Sequence, residues 1–512
     1  MQEAPLASRY FFKLLANIAS VPVYLIMEAL LPRALGPVMY GNYNFATTVF
    51  TQLLGFLDMG TSTCFYNALS RRQDEVSLIR FYLGVSLILF CVAIGVGLIM
   101  LWPAAGTLFL PDVPPWLAPL AALFAFLTWI GRVLRSTNDA IGATIHSEII
   151  RTVVSLTCVL LLVLLFLSDT LTIYSLFLQQ YLMLSATAIG FWLVTRANYR
   201  ERGIVLTKKL ERGEVTAYAG EFWSYSHPLF VQALLSFLML TAERWLLQLC
   251  NGSAEQGFFA LSQKVSMACF LFVSAMTPLI MRELSIAWGQ KDTETMGRLL
   301  TRFSPILFFI AAYFSCFTVA EAETLVDLFG GAQFTAAILP VQIMALYPLH
   351  QALGQLAGSV FHATGRTHVL RNMAIAECFY GSFATWLLVA PPSFMGLGLG
   401  ATGLAVKTVC VQFITVNGYL WLATRFIPFS FWKNLGHQFL ATAVLLVTAG
   451  LAREMTVFFP LGESFSLLRF LASGLLYTFV TMLLVLAFPQ IMGCKRGELK
   501  EKVQRFFKAR LG

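Results

Sequence analysis

Apolar stretches long enough to cross a bilayer recur from Tyr10 to Gln490, separated by short polar or glycine- and proline-bearing breaks. A crossing helix needs roughly 20 mostly apolar residues. Matching runs against breaks predicts about fourteen spans. Their approximate limits are 10–32, 42–67, 79–101, 116–135, 149–167, 171–195, 222–249, 257–281, 303–320, 334–360, 372–391, 400–423, 436–459 and 465–489. The first run, Tyr10 to Leu31, is interrupted by Lys13, Asn17, Pro22 and Glu28, and no A-x-A cleavage site follows. It reads as a retained first span rather than a signal peptide.

Composition sharpens this picture. Of 512 residues 58% are hydrophobic and 12% charged, with a mean hydropathy of +0.74. A soluble domain carries about 25% charged residues, so little room is left for one here. The net charge of +9 would by itself admit a nucleic-acid partner, but its placement gives another reason. With the N-terminus placed inside, about 29 of the 35 basic residues fall in inner segments, where lysine and arginine are retained. These include Arg71, Arg72 and Arg80, then Arg132, Arg135 and Arg151, then the run from Arg196 to Arg212. The outer loops hold Arg33, Arg453 and Arg469. Both termini are then cytoplasmic, the span number is even, and no nucleic acid is needed. Of nine cysteines, Cys91, Cys158, Cys269 and Cys410 sit inside apolar runs, and no Cys-x-x-Cys pair occurs. They read as small core residues, not as a disulfide or metal framework.

The longest inner connection, Arg196 to Glu221, follows the sixth span. Its charged run (Lys208, Lys209, Glu211, Arg212, Glu214) marks a linker. Expected domains are an N-terminal six-helix bundle over 1–200, a cytoplasmic linker over 201–221 and a second six-helix bundle over 222–425. Two additional spans over 426–490 and a basic amphipathic tail over 491–512 complete the chain. The tail places Leu499, Val503, Phe506 and Phe507 at helical spacing among basic residues, suited to an anionic lipid surface. The two halves echo one another. Tyr40-Gly41 opens the second span and Gln256-Gly257 the second span after the linker, each followed by aromatic residues. Repeated halves with a site at their interface are a transporter design.

Leu35-Gly36-Pro37-Val38-Met39-Tyr40-Gly41, Asp58-Met59-Gly60 and Ser70-Arg71 form an ordered series. A second series runs through Gly330-Gly331, Phe334, Leu339-Pro340, Ala363-Thr364-Gly365-Arg366 and the segment Gly398 to Ala405. Together they resemble the O-antigen-type polysaccharide-biosynthesis flippases of the multidrug/oligosaccharidyl-lipid/polysaccharide exporter superfamily. Locally, Gly36-Pro37 supplies a bend at the outer face, Tyr40 is placed to anchor at the interface, and Thr364-Gly365-Arg366 stops a helix. The resemblance implies an all-α polytopic fold of two six-helix bundles around a central cleft plus two C-terminal helices, in a bacterial inner membrane. It implies a non-enzymatic flippase for an undecaprenyl-pyrophosphate-linked oligosaccharide, working by alternating access beside a glycan polymerase or export machinery.

Ionisable side chains inside spans each cost about 2.5–3.5 kcal/mol on insertion scales, so they should face a cavity or a partner. Lys264, Lys407 and Arg244 are candidates to hold the phosphates of an anionic headgroup. Asp58, Glu28, Glu377 and Glu243 are candidates for proton or sodium coupling, since neutralising a buried charge shifts which state is favoured. Snorkelling of Glu243 and Arg244 to the surface, and helix capping by Glu221, are the structural alternatives. No cofactor is expected. The histidines, His362 and His368 in an inner turn and His146, His227, His350 and His437 elsewhere, lack metal spacing. Three rival readings remain open: a cation-coupled multidrug exporter of the same superfamily, a membrane glycan polymerase or glycosyltransferase, and a non-transporting scaffold. The second calls for a large outer loop with catalytic side chains, whereas the Trp102 to Pro115 loop has only Asp112.

Overall fold

The computed structural model describes residues 6–204, 210–274, 277–457 and 466–493. Lys208, Lys209 and the basic tail from Lys495 lie outside the described residues. Among the described residues every regular element is helical. In chain order these are α1 (Leu6–Asp58), α2 (Thr61–Arg71), α3 (Val76–Ile99), α4 (Pro103–Phe109), α5 (Leu117–Ala140), α6 (Thr144–Leu167), α7 (Ile173–Glu201), α8 (Arg212–Ser226) and α9 (Phe230–Ser274). They continue as α10 (Thr277–Gly289), α11 (Thr293–Ala320), α12 (Ala322–Gly330), α13 (Ile338–Met344), α14 (Tyr347–Ala363), α15 (Thr367–Val389), α16 (Gly400–Ala423), α17 (Phe431–Val457) and α18 (Ser466–Ala487). Among the described residues, 10 helices are long and apolar enough to cross a membrane.

Two of the long helices are each a pair of helices joined across one residue. α1 turns at Gly36 (φ 69°, ψ 170°) and α9 at Gly252 (φ 83°, ψ 179°). A positive φ in this range is accessible to glycine without a Cβ penalty, so both bends are written in the sequence at single positions.

The chain forms two compact units, Met1–Gly257 and Phe258–Gly512. In the first, α5 packs against α1, α3 and α7, and α6 against α1 and α7. The reason lies in the small residues of α5: Ala118, Ala121, Ala122 and Ala125 are buried. Lipid chains are as apolar as leucine, so membrane helices gain little by hiding leucine and associate instead through close backbone approach. Leu87 and Ile88 of α3 and Leu160 and Leu164 of α6 are correspondingly exposed. In the second unit α11 packs on α14 and α17, and α14 and α15 on α16. Ala311, Ala312, Ala352, Ala357, Ala441 and Ala449 give its core the same close-approach character.

Several expected spans are more finely divided than their hydropathy suggests. The run 42–67 breaks at Met59 (φ 44°) and Gly60 (φ 79°), and α2 starts afresh at Thr61. The run 222–249 begins with the separate α8, and 334–360 opens with a 3-10 turn (Ala332–Ala337) and the short α13. The loop Trp102 to Pro115 contains α4. The helix stop at Thr364-Gly365-Arg366 is present, with Gly365 at φ 69° and the Arg366 guanidinium 3.9 Å from the Phe426 ring centroid. Tyr40 differs from its expected place. It is not an interfacial anchor: it follows the Gly36 bend inward and is 1% exposed.

Candidate functional site

The Gly36 and Gly252 bends bring α1 and α9 together within the first unit. A Cβ on Gly41 would lie 1.8 Å from the Ser253 carbonyl oxygen, and one on Gly257 would lie 2.3 Å from that of Pro37. Neither position has room for any side chain. Around this contact sits a buried polar layer. The Tyr40 hydroxyl donates to Glu28 Oε2 at 3.2 Å, and Asn44 Nδ2 donates to the Tyr40 carbonyl at 2.8 Å. Arg244 Nη1 donates to Gln256 Oε1 at 3.3 Å, and Gln256 Nε2 donates back to the Arg244 carbonyl. Gln248 Nε2 bridges Asn42 Oδ1 at 3.4 Å and Ser253 Oγ at 2.8 Å. Glu28, Arg244, Gln248 and Gln256 are all buried.

The two halves of this layer correspond. Glu28, Gly36, Tyr40 and Gly41 recur at the same spacing as Arg244, Gly252, Gln256 and Gly257. In each, an ionisable side chain is hydrogen-bonded to a residue twelve positions on, across a glycine bend. The echo of Tyr40-Gly41 in Gln256-Gly257 therefore extends to the charged positions, with the sign reversed. Glu243, half-buried, is within electrostatic reach of Arg244.

Asp58 ends α1 and holds the start of α2. Its Oδ1 accepts from Thr61 Oγ1 (2.8 Å), the Ser62 amide (3.0 Å) and Tyr82 (3.3 Å), and its Oδ2 from Ser62 Oγ (2.7 Å). The same carboxylate lines a cavity of about 330 Å³, opposite Arg132, Ser136 and Asp139 of α5. Nearby, Glu148 is 2% exposed between two arginines. Arg135 Nε donates to its Oε1 and Arg151 Nε to its Oε2, both at 2.9 Å. This triad staples α5 to α6.

The linker helix α8 lies on the ends of α2 and α3. Phe81 meets Tyr218 and Phe222 at ring-centroid distances of 5.5 and 5.3 Å. Tyr218 donates to Glu75 Oε1 at 2.5 Å, and Ser77 donates to Glu214. Burial first, and then the hydrogen bond to Glu75, push the Tyr218 phenol well above its ordinary range. Arg72 forms a two-pronged pair with Glu221 at 2.7 and 2.9 Å. Glu221 is thus a partner of Arg72 and no helix cap.

The second unit holds the remaining candidates. Lys407 of α16 is 4% exposed, and Lys264 is half-buried in the second arm of α9. Glu377 of α15 accepts from Thr415 Oγ1 at 3.2 Å, and Tyr380 pairs with the same Thr415 hydroxyl. Glu28, Asp58, Glu243 and Arg244 belong to the first unit and Lys264, Glu377 and Lys407 to the second. Among the described residues no three His, Cys, Asp or Glu side chains gather as a metal site. The first unit also carries an apolar groove of about 560 Å³ between α1, α3 and α9, walled by Phe50, Leu53, Phe237 and Trp245. The Trp245 indole N–H is tied to the Leu108 carbonyl at 2.8 Å.

The fold has known counterparts. A solved structure described as the lipid II flippase MurJ in an inward closed conformation superposes with a TM-score of 0.67 at 14% identity, covering 93% of this chain and 99% of that one. An inward-facing multidrug resistance MATE family transporter of the MOP superfamily gives 0.57 at 16% identity, covering 80% and 94%. Both likenesses are of fold. No curated protein sequence matches the chain. The model of the polysaccharide biosynthesis protein family matches residues 6–280, which takes in both glycine bends, the Asp58 turn and the Glu28 and Arg244 positions, and the chain is accordingly a member of that family.

Proposed function

We propose that the protein is a flippase that carries an undecaprenyl-pyrophosphate-linked oligosaccharide unit from the cytoplasmic to the outer leaflet of a bacterial inner membrane, by alternating access. Both termini lie in the cytoplasm in this reading. The observation that carries it is the burial of ionic side chains in membrane-spanning helices of a polysaccharide-biosynthesis protein: Glu28 at 8%, Arg244 at 9% and Lys407 at 4% exposure. Such groups are expensive in hydrocarbon and mark the paths of polar cargo and coupling ions. Arg244, Lys264 and Lys407 are the cations for the pyrophosphate. Arg244 offers a fork and the lysines offer point charges. Glu28, Glu243 and Glu377 are the groups for proton or sodium coupling. Asp58 is a further such group, its carboxylate held by four donors at the α2 turn. The hydrocarbon tail stays in lipid, and the apolar groove beside Trp245 suits such a chain.

Deleting the gene and analysing lipid-linked intermediates tests the proposal. A completed, unexported saccharide unit should accumulate. The fold is shared with a multidrug transporter, and efflux of a free organic cation from reconstituted vesicles, with no such accumulation, would favour that function instead.

A further inference from the structure

The connection between α15 and α16 in the second unit turns apolar side chains outward. We infer that this loop is inserted into the interfacial layer of the membrane, with its tip docked on lipid. The contact is independent of the cargo, and in the topology proposed above it falls in the outer leaflet.

The sequence leaves the loop without charge. Between Glu377 and Lys407 the chain carries no Asp, Glu, Lys or Arg. A 3-10 turn (Pro392–Phe394) follows the end of α15, and Met395 adopts a left-handed conformation (φ 58°) that sends the chain back. Gly396 is fitted against the helix end, where a Cβ would lie 2.0 Å from the Ala390 carbonyl oxygen. With the turn made in this way Phe394 is 68% and Met395 81% exposed, and Leu397 and Leu399 are exposed beside them. A contiguous apolar patch of this kind marks a surface that something covers.

Continuity with α15 names lipid as the cover. Phe379, Phe383 and Trp386 are exposed at the spacing of one helix face. α15 lies along α16, which is long and apolar enough to cross a membrane. The loop prolongs that face, because the Leu397 and Leu399 amides donate to the Leu387 and Leu388 carbonyls at 2.8 and 2.9 Å. Trp386 is the type of residue that sits at headgroup level. The interfacial layer is about 5–8 Å deep on each side of the hydrocarbon, room for a tip that projects just past the end of α15.

The backbone points the same way. Every amide from Phe394 to Leu399 donates to a backbone carbonyl of the loop or of the end of α15. Water would satisfy those groups without help, whereas unpaired backbone becomes costly toward the hydrocarbon. The first bundle shows that a connection in this place need not be apolar. Its last two helices, α6 and α7, are joined by Ser168-Asp169-Thr170-Leu171-Thr172, with Ser168, Asp169 and Thr170 exposed. That loop suits water; the α15–α16 loop suits lipid.

p-Benzoylphenylalanine, which bonds to neighbouring C–H groups on irradiation, tests the contact. Full-length protein carrying it in place of Phe394 should be irradiated in native membranes and in phosphatidylethanolamine–phosphatidylglycerol nanodiscs, with adducts read by mass spectrometry. The same replacement at Phe383 serves as the lipid-facing reference and at Thr170 as the water-facing one. Thermal unfolding confirms that each variant is folded, and Leu397 supplies a second reporter on the loop. Lipid adducts at position 394 should approach the yield at 383 and exceed that at 170 by at least about tenfold, the bias given by burying one phenyl ring. A yield no higher than at 170 would overturn the assignment. So would bonding to another protein in native membranes, or to a second copy of the chain in nanodiscs, since the patch would then be a protein interface.

Discussion

Glu148 is enclosed by two guanidinium groups whose side chains are themselves only 28% and 22% exposed. Removing its charge leaves Arg135 and Arg151 facing each other without compensation. Breaking a buried ion pair by losing one partner costs about 3–5 kcal/mol, and partial exposure of the arginines places this case at the lower end. Glu148→Gln should therefore unfold at a clearly lower temperature in detergent, read by intrinsic fluorescence. Gly41 makes a second residue-scale prediction. Its substitution by alanine forces a methyl group into the Ser253 backbone, and overpacking of this kind costs about 1–3 kcal/mol. Gly84→Ala, where a Cβ meets open space, serves as the neutral control. An equal thermal midpoint for the two variants would mean that the helices separate freely at this point.

Most of these charged residues are visible in the sequence, but position along the chain does not name their partners. Arg135 and Arg151 read from the sequence as topological charge, a reading silent about their partner Glu148. Glu28 and Arg244 were named separately, although their common spacing to the two glycines was already visible. Trp129, Arg132, Ser136 and Asp139 were missed as a stripe because a run of apolar residues around them satisfied the span criterion. Side-chain partners between helices far apart in sequence, such as Gln248 and Asn42, left no trace in periodicity.

At the scale of elements, α8 shows which contacts hold a surface helix. Its pair with Arg72 is exposed, 39% and 43% for the two side chains, and exposed pairs contribute about 0–1 kcal/mol. Tyr218 is 5% exposed and packs on Phe81. Tyr218→Ala should release α8 and make the linker sensitive to limited proteolysis, while Arg72→Ala should leave its cleavage rate nearly unchanged. The short helices α2, α4, α8, α12 and α13 were not separable by hydropathy, because each adjoins a long apolar run. The Asp58 turn was legible in principle. An aspartate followed by Gly60 and the hydroxyls of Thr61 and Ser62 is the sequence of a helix start.

For the whole molecule, the all-helical class followed directly from hydropathy, since a bilayer leaves a spanning chain few alternatives. The site did not, because cargo recognition depends on which faces turn inward. The cation proposal is tested at this scale. Lys264→Gln and Lys407→Gln together should lower export of the lipid-linked unit at least about tenfold, roughly 1.4 kcal/mol, measured in the deletion strain complemented with each variant. Export at the original rate would remove the lysines from the path.

Had the protein begun as a pair of identical half-length copies, positions 28 and 244 would have carried one and the same residue, both acids or both bases. Fusion into a single polypeptide lifts that restriction. The charged positions would then be free to differ, as the carboxylate and the guanidinium do, whereas the glycines at 41 and 257, jammed against backbone, would have nowhere to go.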